Sequence, residues 1–255
     1  MFYLAPESKE MECVYFAPWE PGGSYHVYNR AVALNRLFCT GYNIEKFRDV
    51  LRQKLKPYFA IYSVSCVGNH FHIHGRVRTI SEIDTYLRGL RKPLGRQRRY
   101  LRGEVSFREL VGDGFARAFQ AYARSFNIEQ KRTGSLMDQT VRRIRVRGDL
   151  LSRSLCAYHH FNAFKHGLWR DQRGLGDVTT YAEIARGESD LVDLAAVYLR
   201  FGGREEFVAY HERYFENRRE SVLAFDEQRY FGYDKYPERY GYALNRGEGY
   251  RDEAA

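Results

Sequence analysis

The sequence predicts an α+β sandwich, a sheet with helices packed against it. Three observations lead there. Short β-rich runs alternate with segments of helical periodicity. Two of those runs flank a Gly-Asn dipeptide, which reads as a hairpin turn. Hydrophobic residues make up 44% of 255, enough for one sizeable core and too many for wholesale disorder.

The elements follow in order. Ser24–Arg30 (SYHVYNR) is the first strand, set off by Pro21-Gly22-Gly23, and the residues before it look like a loose leader in which Met11 is an alternative start. Ile44–Leu55 carries Phe47, Val50, Leu51 and Leu55 at helical spacing and stops before Pro57. Phe59–Val77 is the hairpin, turning at Gly68-Asn69. Ile80–Gly89 and Phe115–Phe126 are predicted helices, and the basic stretch between them is predicted to be partly looped. Asp149–His166 is a further helix, with Leu150, Leu151, Leu155 and Tyr158 near one stripe and Gly167 as its stop. Beyond Gly174, Tyr181–Ala185, Leu191–Arg200 and Glu205–Phe215 read as helices, and the Tyr- and Gly-rich tail from Gly232 as irregular.

Composition narrows the partners. Lys and Arg total 41 against 32 Asp and Glu, a net charge of +9, which favours an acidic partner such as nucleic acid. Cys13, Cys39, Cys66 and Cys156 form no CxxC pair, which argues against a zinc ribbon and suits a reducing cytoplasm. No apolar run approaches the roughly 20 residues that span a bilayer, and no signal-peptide pattern opens the chain, so no membrane partner is expected.

One constellation carries chemistry. Side chains alternate along a strand, so His70, His72 and His74 share a face. Two imidazoles at this spacing can grip a divalent metal, although a lone HxH is more often a structural or surface pair. Tyr158 and Asn162 stand i, i+4 on a later helix and share a face there, offering a nucleophile and an amide oxygen. Arg88, Arg91, Lys92, Arg96, Arg98, Arg99 and Arg102 form one basic cluster, and Lys131, Arg132, Arg142, Arg143, Arg145 and Arg147 another, as phosphate contacts require.

Taken in order, SYHVYNRAV, CVGNHFHIH, AYARSFNIEQKRTGSLMDQTVRRIRV and AYHHFNAFKHG resemble the HUH single-tyrosine transposases. The resemblance is narrower to the REP-associated tyrosine transposases of bacterial chromosomes, which read roughly YHxYNR, MPNHxH, YxxxxN…GSLF and YIHxNPxxHG. FGGREEFVAYH resembles the C-terminal extension of some members, so the match runs from about Ser24 to His211.

The resemblance implies a ferredoxin-like antiparallel sheet with helices on one face and a mostly helical C-terminal extension. It implies metal ligands at His70, His72 and Asn162, Mg2+ or Mn2+ as the ion, and Tyr158 as the nucleophile. Single-stranded or hairpin DNA would be cut and rejoined through a 5′-phosphotyrosine, by a monomer or a homodimer. Arg30, Arg91, Lys92, Arg132, Arg142, Arg143, Arg145 and Lys165 are the candidate DNA contacts. The chain would divide into a leader (1–23), a catalytic domain (24–174), a helical extension (175–231) and an irregular tail (232–255).

Some positions depart from the family pattern. Gly68 and Ala163 stand where prolines are usual, Met137 where phenylalanine is common, and His74 where an apolar residue is normal. His74 is expected to be non-catalytic, and Tyr122 to pack or face DNA. His159 and His160 are expected to point away from the site, His166 to contact a helix end, and Asn29 and Arg30 to support the site or to form a strand-end turn. The alternative function is a domesticated DNA-binding protein of the same fold that no longer transposes. A 2H phosphoesterase needs paired HxT or HxS motifs, which this chain lacks.

Overall fold

The structure is a computed structural model that describes residues 15–32, 36–165 and 178–219. Residues 1–14 of the leader, the 174 boundary, His166, Gly167 and the tail from Gly232 lie outside them.

Four strands form one antiparallel sheet: β1 (Ser24–Arg30), β2 (Phe59–Val67), β3 (His70–Val77) and β4 (Arg142–Val146), in the order β2-β3-β1-β4. Helix α1 (Gly41–Val50), continued by a single π-helical turn at Leu51–Leu55, connects β1 to β2. Helices α2 (Ile80–Gly89), α3 (Gly95–Leu101) and α4 (Phe107–Glu129) connect β3 to β4. With α1 and α4 as the crossovers this is the βαββαβ ferredoxin-like arrangement. Helix α5 (Asp149–Lys165) follows β4, and the extension supplies α6 (Tyr181–Arg186), α7 (Leu194–Phe201) and α8 (Arg204–Arg219). No described helix is long and apolar enough to cross a membrane.

The period of two assigns each strand residue to a layer. Tyr25, Val27, Phe71, Ile73 and Val77 join Phe47, Leu51, Phe115, Phe119 and Tyr122 in one core beneath α1 and α4. The opposite face is covered by α5 and the extension, whose core joins Ala60 and Tyr62 to Leu155, Ile184, Val197 and Phe207. A register shift between Ile61 and Ser63 reverses the alternation of β2. Phe59 and Ile61 face the first core, and beyond the bulge it is Val64 and Cys66 that do. Ser63 and Ser65 are thereby turned to the α5 face.

Local signals explain the helix starts. Thr79 with Glu82, and Ser106 with Glu109, form capping boxes at α2 and α4. The second starts α4 at Phe107, eight residues before the predicted start at Phe115, so the expected loop is largely α3 and the first turns of α4. Gly114 sits where the Tyr58 ring crosses α4, and a Cβ there would lie 2.6 Å from that ring. Strand β4 was not expected: Arg142–Val146 (RRIRV) reads as a basic cluster, and only pairing with β1 reveals it.

The extension is tied to the sheet. Cys66 N–H donates to the Val178 carbonyl and Thr180 N–H to the Val64 carbonyl, so this segment lines the outer edge of β2 and covers it. Arg48 of α1 and Glu183 of α6 form an ion pair at 2.7 Å, with about a tenth of each side chain exposed.

Candidate metal and nucleophile site

The strand register builds the site in rows across one face. Arg30, His70 and Val67 form one row, Tyr28, His72 and Ser65 the next, and His26, His74 and Ser63 the third. Arg142 extends the Tyr28 row and Ile144 the His26 row. The predicted shared face of His70, His72 and His74 is therefore observed, and β1 adds His26 and Tyr28 to it.

Helix α5 lies over these rows. Every residue from Leu155 to Ala163 is buried, because the sheet covers one side of the helix and the extension the other. A helix buried all round has no single apolar stripe. The expected stripe fails for that reason: Leu150 is 69% exposed and Leu151 42%, in a first turn that projects beyond the cover.

The predicted ligands converge. Asn162 Nδ2 lies 3.5 Å from His70 Nε2, and the His70 and His72 rings are 4.9 Å apart and nearly perpendicular. The Tyr158 ring lies 5.9 Å from that of His72. Asn69 Oδ1 is 2.8 Å from His70 Nδ1; an amide oxygen only accepts, so His70 carries its proton on Nδ1 and keeps a lone pair on Nε2. Asn162 Oδ1 is fully buried with no hydrogen-bond partner among the described residues, and a divalent cation would satisfy it. Two imidazole nitrogens and an amide oxygen suit a divalent cation. The site borders a narrow cleft lined by Tyr28, Asn29, Arg30, His70, His72 and Arg142. Only 3% of Tyr158 is exposed, so a phosphate reaches its phenol only after the side chain or its cover moves.

His159 corrects an expectation. It points into the site layer, not away from it, with Nδ1 2.9 Å from Ser63 Oγ and its ring 4.9 Å from that of His26. The nitrogens of His26, His72 and His159 lie within 4.8 Å of one another. Burial, reinforced by these neighbouring imidazoles, holds His159 well below the usual histidine range. His74 is fully buried, 3.3 Å from Ser152 Oγ, and burial lowers it to about 3. His159 has no sequence signal of its own, whereas His26 stands in the SYHVYNR motif and shares strand parity with Tyr28.

His160 points to the extension. His211 Nδ1 donates to the Phe207 carbonyl at 2.7 Å, so its Nε2 accepts from His160 Nδ1 at 2.9 Å. His160 Nε2 then accepts from the Thr180 hydroxyl at 3.0 Å, whose oxygen accepts from Val64 N–H. Cys156 lies within 4.8 Å of both imidazoles, but this chain of hydrogen bonds already satisfies their nitrogens.

The basic residues separate by parity. Arg142 faces the site, while Arg143 and Arg145 face the other side of β4. Arg143 donates to the carbonyls of Ala17 and Phe16 and lies over Trp19. Arg145 bonds the Tyr25 hydroxyl and pairs with Glu20. Arg30 pairs with Asp138 at 3.0 Å beside the cleft, and Asn29 Nδ2 donates to the Asp138 carbonyl. Arg132 braces the turn after α4 through Asn127 and Ser135. Arg91 and Lys92 are exposed between α2 and α3. The Lys165 side chain lies outside the described residues. Tyr122 packs in the first core and donates to the Leu37 carbonyl.

No family model matches this sequence, and no curated protein matches it. Among solved structures the chain is similar to a REP-associated tyrosine transposase bound to a REP hairpin. The two are 14% identical with a TM-score of 0.44, and the match covers 77% of this chain and 96% of the other.

Proposed function

We propose that the protein is a metal-dependent transposase that cuts and rejoins single-stranded or hairpin DNA through a covalent tyrosine intermediate. One observation carries the reading. Four residues from segments far apart in sequence, His70 and His72 on β3 and Tyr158 and Asn162 on α5, meet on one face of the sheet beside a buried, unsatisfied amide oxygen. A site built only to bind DNA has no need of this combination.

His70, His72 and Asn162 would hold Mg2+ or Mn2+, which when bound draws off charge from the scissile phosphate. Tyr158 Oη attacks phosphorus and forms the new P–O bond while the bond to the 3′-oxygen breaks. The phenol proton is passed, in net terms, to that oxygen, leaving a 5′-phosphotyrosine and a 3′-OH. The phosphotyrosine conserves the bond energy for rejoining. Arg30 and Arg142 flank the cleft and suit the flanking phosphates. Arg143 and Arg145 serve mainly to hold the β4 edge in this reading. Cys66 and Cys156 form no disulfide among the described residues, which suits a reducing cytoplasm.

The test uses labelled hairpin DNA with Mn2+ and denaturing gels. Wild type is expected to form a covalent adduct, Tyr158→Phe to form none, and His70→Ala and His72→Ala to lose cleavage while retaining hairpin binding. Normal cleavage by both histidine variants refutes the metal assignment. Hairpin binding by wild type without any adduct leaves the domesticated DNA-binding protein as the reading.

A further inference from the structure

The buried histidines behind the site have no role in the chemistry above. His26 is the most informative. Its Nε2 lies 3.0 Å from His72 Nδ1, and both rings are buried. Two imidazole nitrogens at that distance share one proton, and its owner decides what His72 can do. If His26 donates, His72 must carry its own proton on Nε2 and that nitrogen cannot bind a cation. If His72 donates, its Nε2 is a lone-pair nitrogen, as His70 Nε2 is by its bond to Asn69.

We propose that His26 is a positioning residue: it accepts the His72 Nδ1 proton and so holds His72 in the tautomer and ring orientation that present Nε2 to the ion. This rests on the metal reading and adds a residue to it. Metal-bound histidines generally donate their second N–H to a fixed acceptor, and that partner tunes affinity. Asn69 plays this part for His70 from the hairpin turn, and His26 plays it for His72 from the neighbouring strand.

The competing assignment is a second cation held by His26, His72 and His159, whose nitrogens lie within 4.8 Å. It is disfavoured because the facing nitrogens of His26 and His72 already share a proton, which a cation would have to displace. All three residues are also buried. His159, anchored on Ser63, packs its ring 4.9 Å from that of His26 at 49°.

Binding of Mn2+ to the full-length protein, read from the free-ion EPR signal, tests the inference. His26→Phe keeps a ring but removes the acceptor, whereas His26→Gln places an amide oxygen near the position of Nε2. We expect His26→Phe to weaken Mn2+ binding by about ten- to a hundredfold, and His26→Gln to recover most of that loss. Hairpin binding in EDTA should be unchanged in both, which a merely structural role would not predict. Equal Mn2+ affinity in wild type and His26→Phe overturns the inference. So does a His26→Gln protein that binds hairpin but binds Mn2+ as weakly as His26→Phe. Unchanged Mn2+ binding in His70→Ala and His72→Ala refutes the metal reading and takes this inference with it. Should the His26 variants fail to fold, nitrogen-15 NMR of histidines in the metal-free wild type decides: Nδ1–H on His72 supports the proposal, and Nε2–H contradicts it.

Discussion

Lowering the pH from 8 to 5 should destabilise the metal-free protein steeply, because it buries neutral histidines. Burial depresses His74 and His211 to about 3 and holds His159 and His160 well below the usual range. An unfolded histidine titrates near 6.5. Below that value the unfolded chain binds protons that the folded chain does not, so stability is present above about 6.5 and is lost as the pH falls towards 3. At pH 5 each such histidine costs about 2 kcal/mol, at about 1.4 kcal/mol per pH unit. His74 and His211 alone therefore remove about 4 kcal/mol, and His159 and His160 act in the same direction. Domain stabilities are about 5–15 kcal/mol, so this loss is a large fraction of the whole. Glu82, whose carboxyl is held at about 2 by Arg76, loses its contribution as the pH falls from the ordinary carboxylate value towards 2, below this window. Urea unfolding in EDTA at pH 8, 6.5, 5.5 and 5, followed by circular dichroism, measures the effect. His211→Phe should reduce the pH dependence by about 2 kcal/mol. A change of less than about 1 kcal/mol in wild type between pH 8 and 5 refutes the reasoning.

Two further predictions concern packing. His211→Leu strands the buried His160 Nδ1–H and should cost about 1–3 kcal/mol, whereas the double replacement with His160→Leu should cost less than the sum of the single changes; additive values in a denaturation cycle would show that the bond contributes nothing. In α4, Gly112→Ala has its nearest neighbour at 3.8 Å and should stabilise by up to about 1 kcal/mol, while Gly114→Ala meets the Tyr58 ring at 2.6 Å and should destabilise. Equal thermal shifts for the two variants would contradict that account of the Tyr58 crossing.

The strands with plain signals were legible. β1 and the hairpin follow from Pro-Gly-Gly, from β-rich runs and from Gly68-Asn69, and α1 from its apolar spacing. β4 was not legible because arginine side chains mask a short edge strand, and its pairing with β1 is a long-range fact. The start of α4 was legible in hindsight, since Ser106 and Glu109 have capping-box spacing, but Gly112 and Gly114 look like breakers. At the site, the spacings of His70 with His72 and of Tyr158 with Asn162 each name a face. That the two faces meet is set by the sheet order and by the extension that presses α5 down. His26 and His159 were missed for the same reason: one lies on a neighbouring strand, and the other stands on a helix buried all round.

The central claim is that Tyr158 attacks the phosphate. Tryptic digestion of the covalent adduct, followed by nuclease treatment and mass spectrometry, tests it directly, because the peptide from Ser154 to Lys165 contains Tyr158 as its sole tyrosine. The account predicts that the nucleotide remnant is found on this peptide. A remnant on a peptide carrying Tyr28, Tyr62 or any other tyrosine would contradict it.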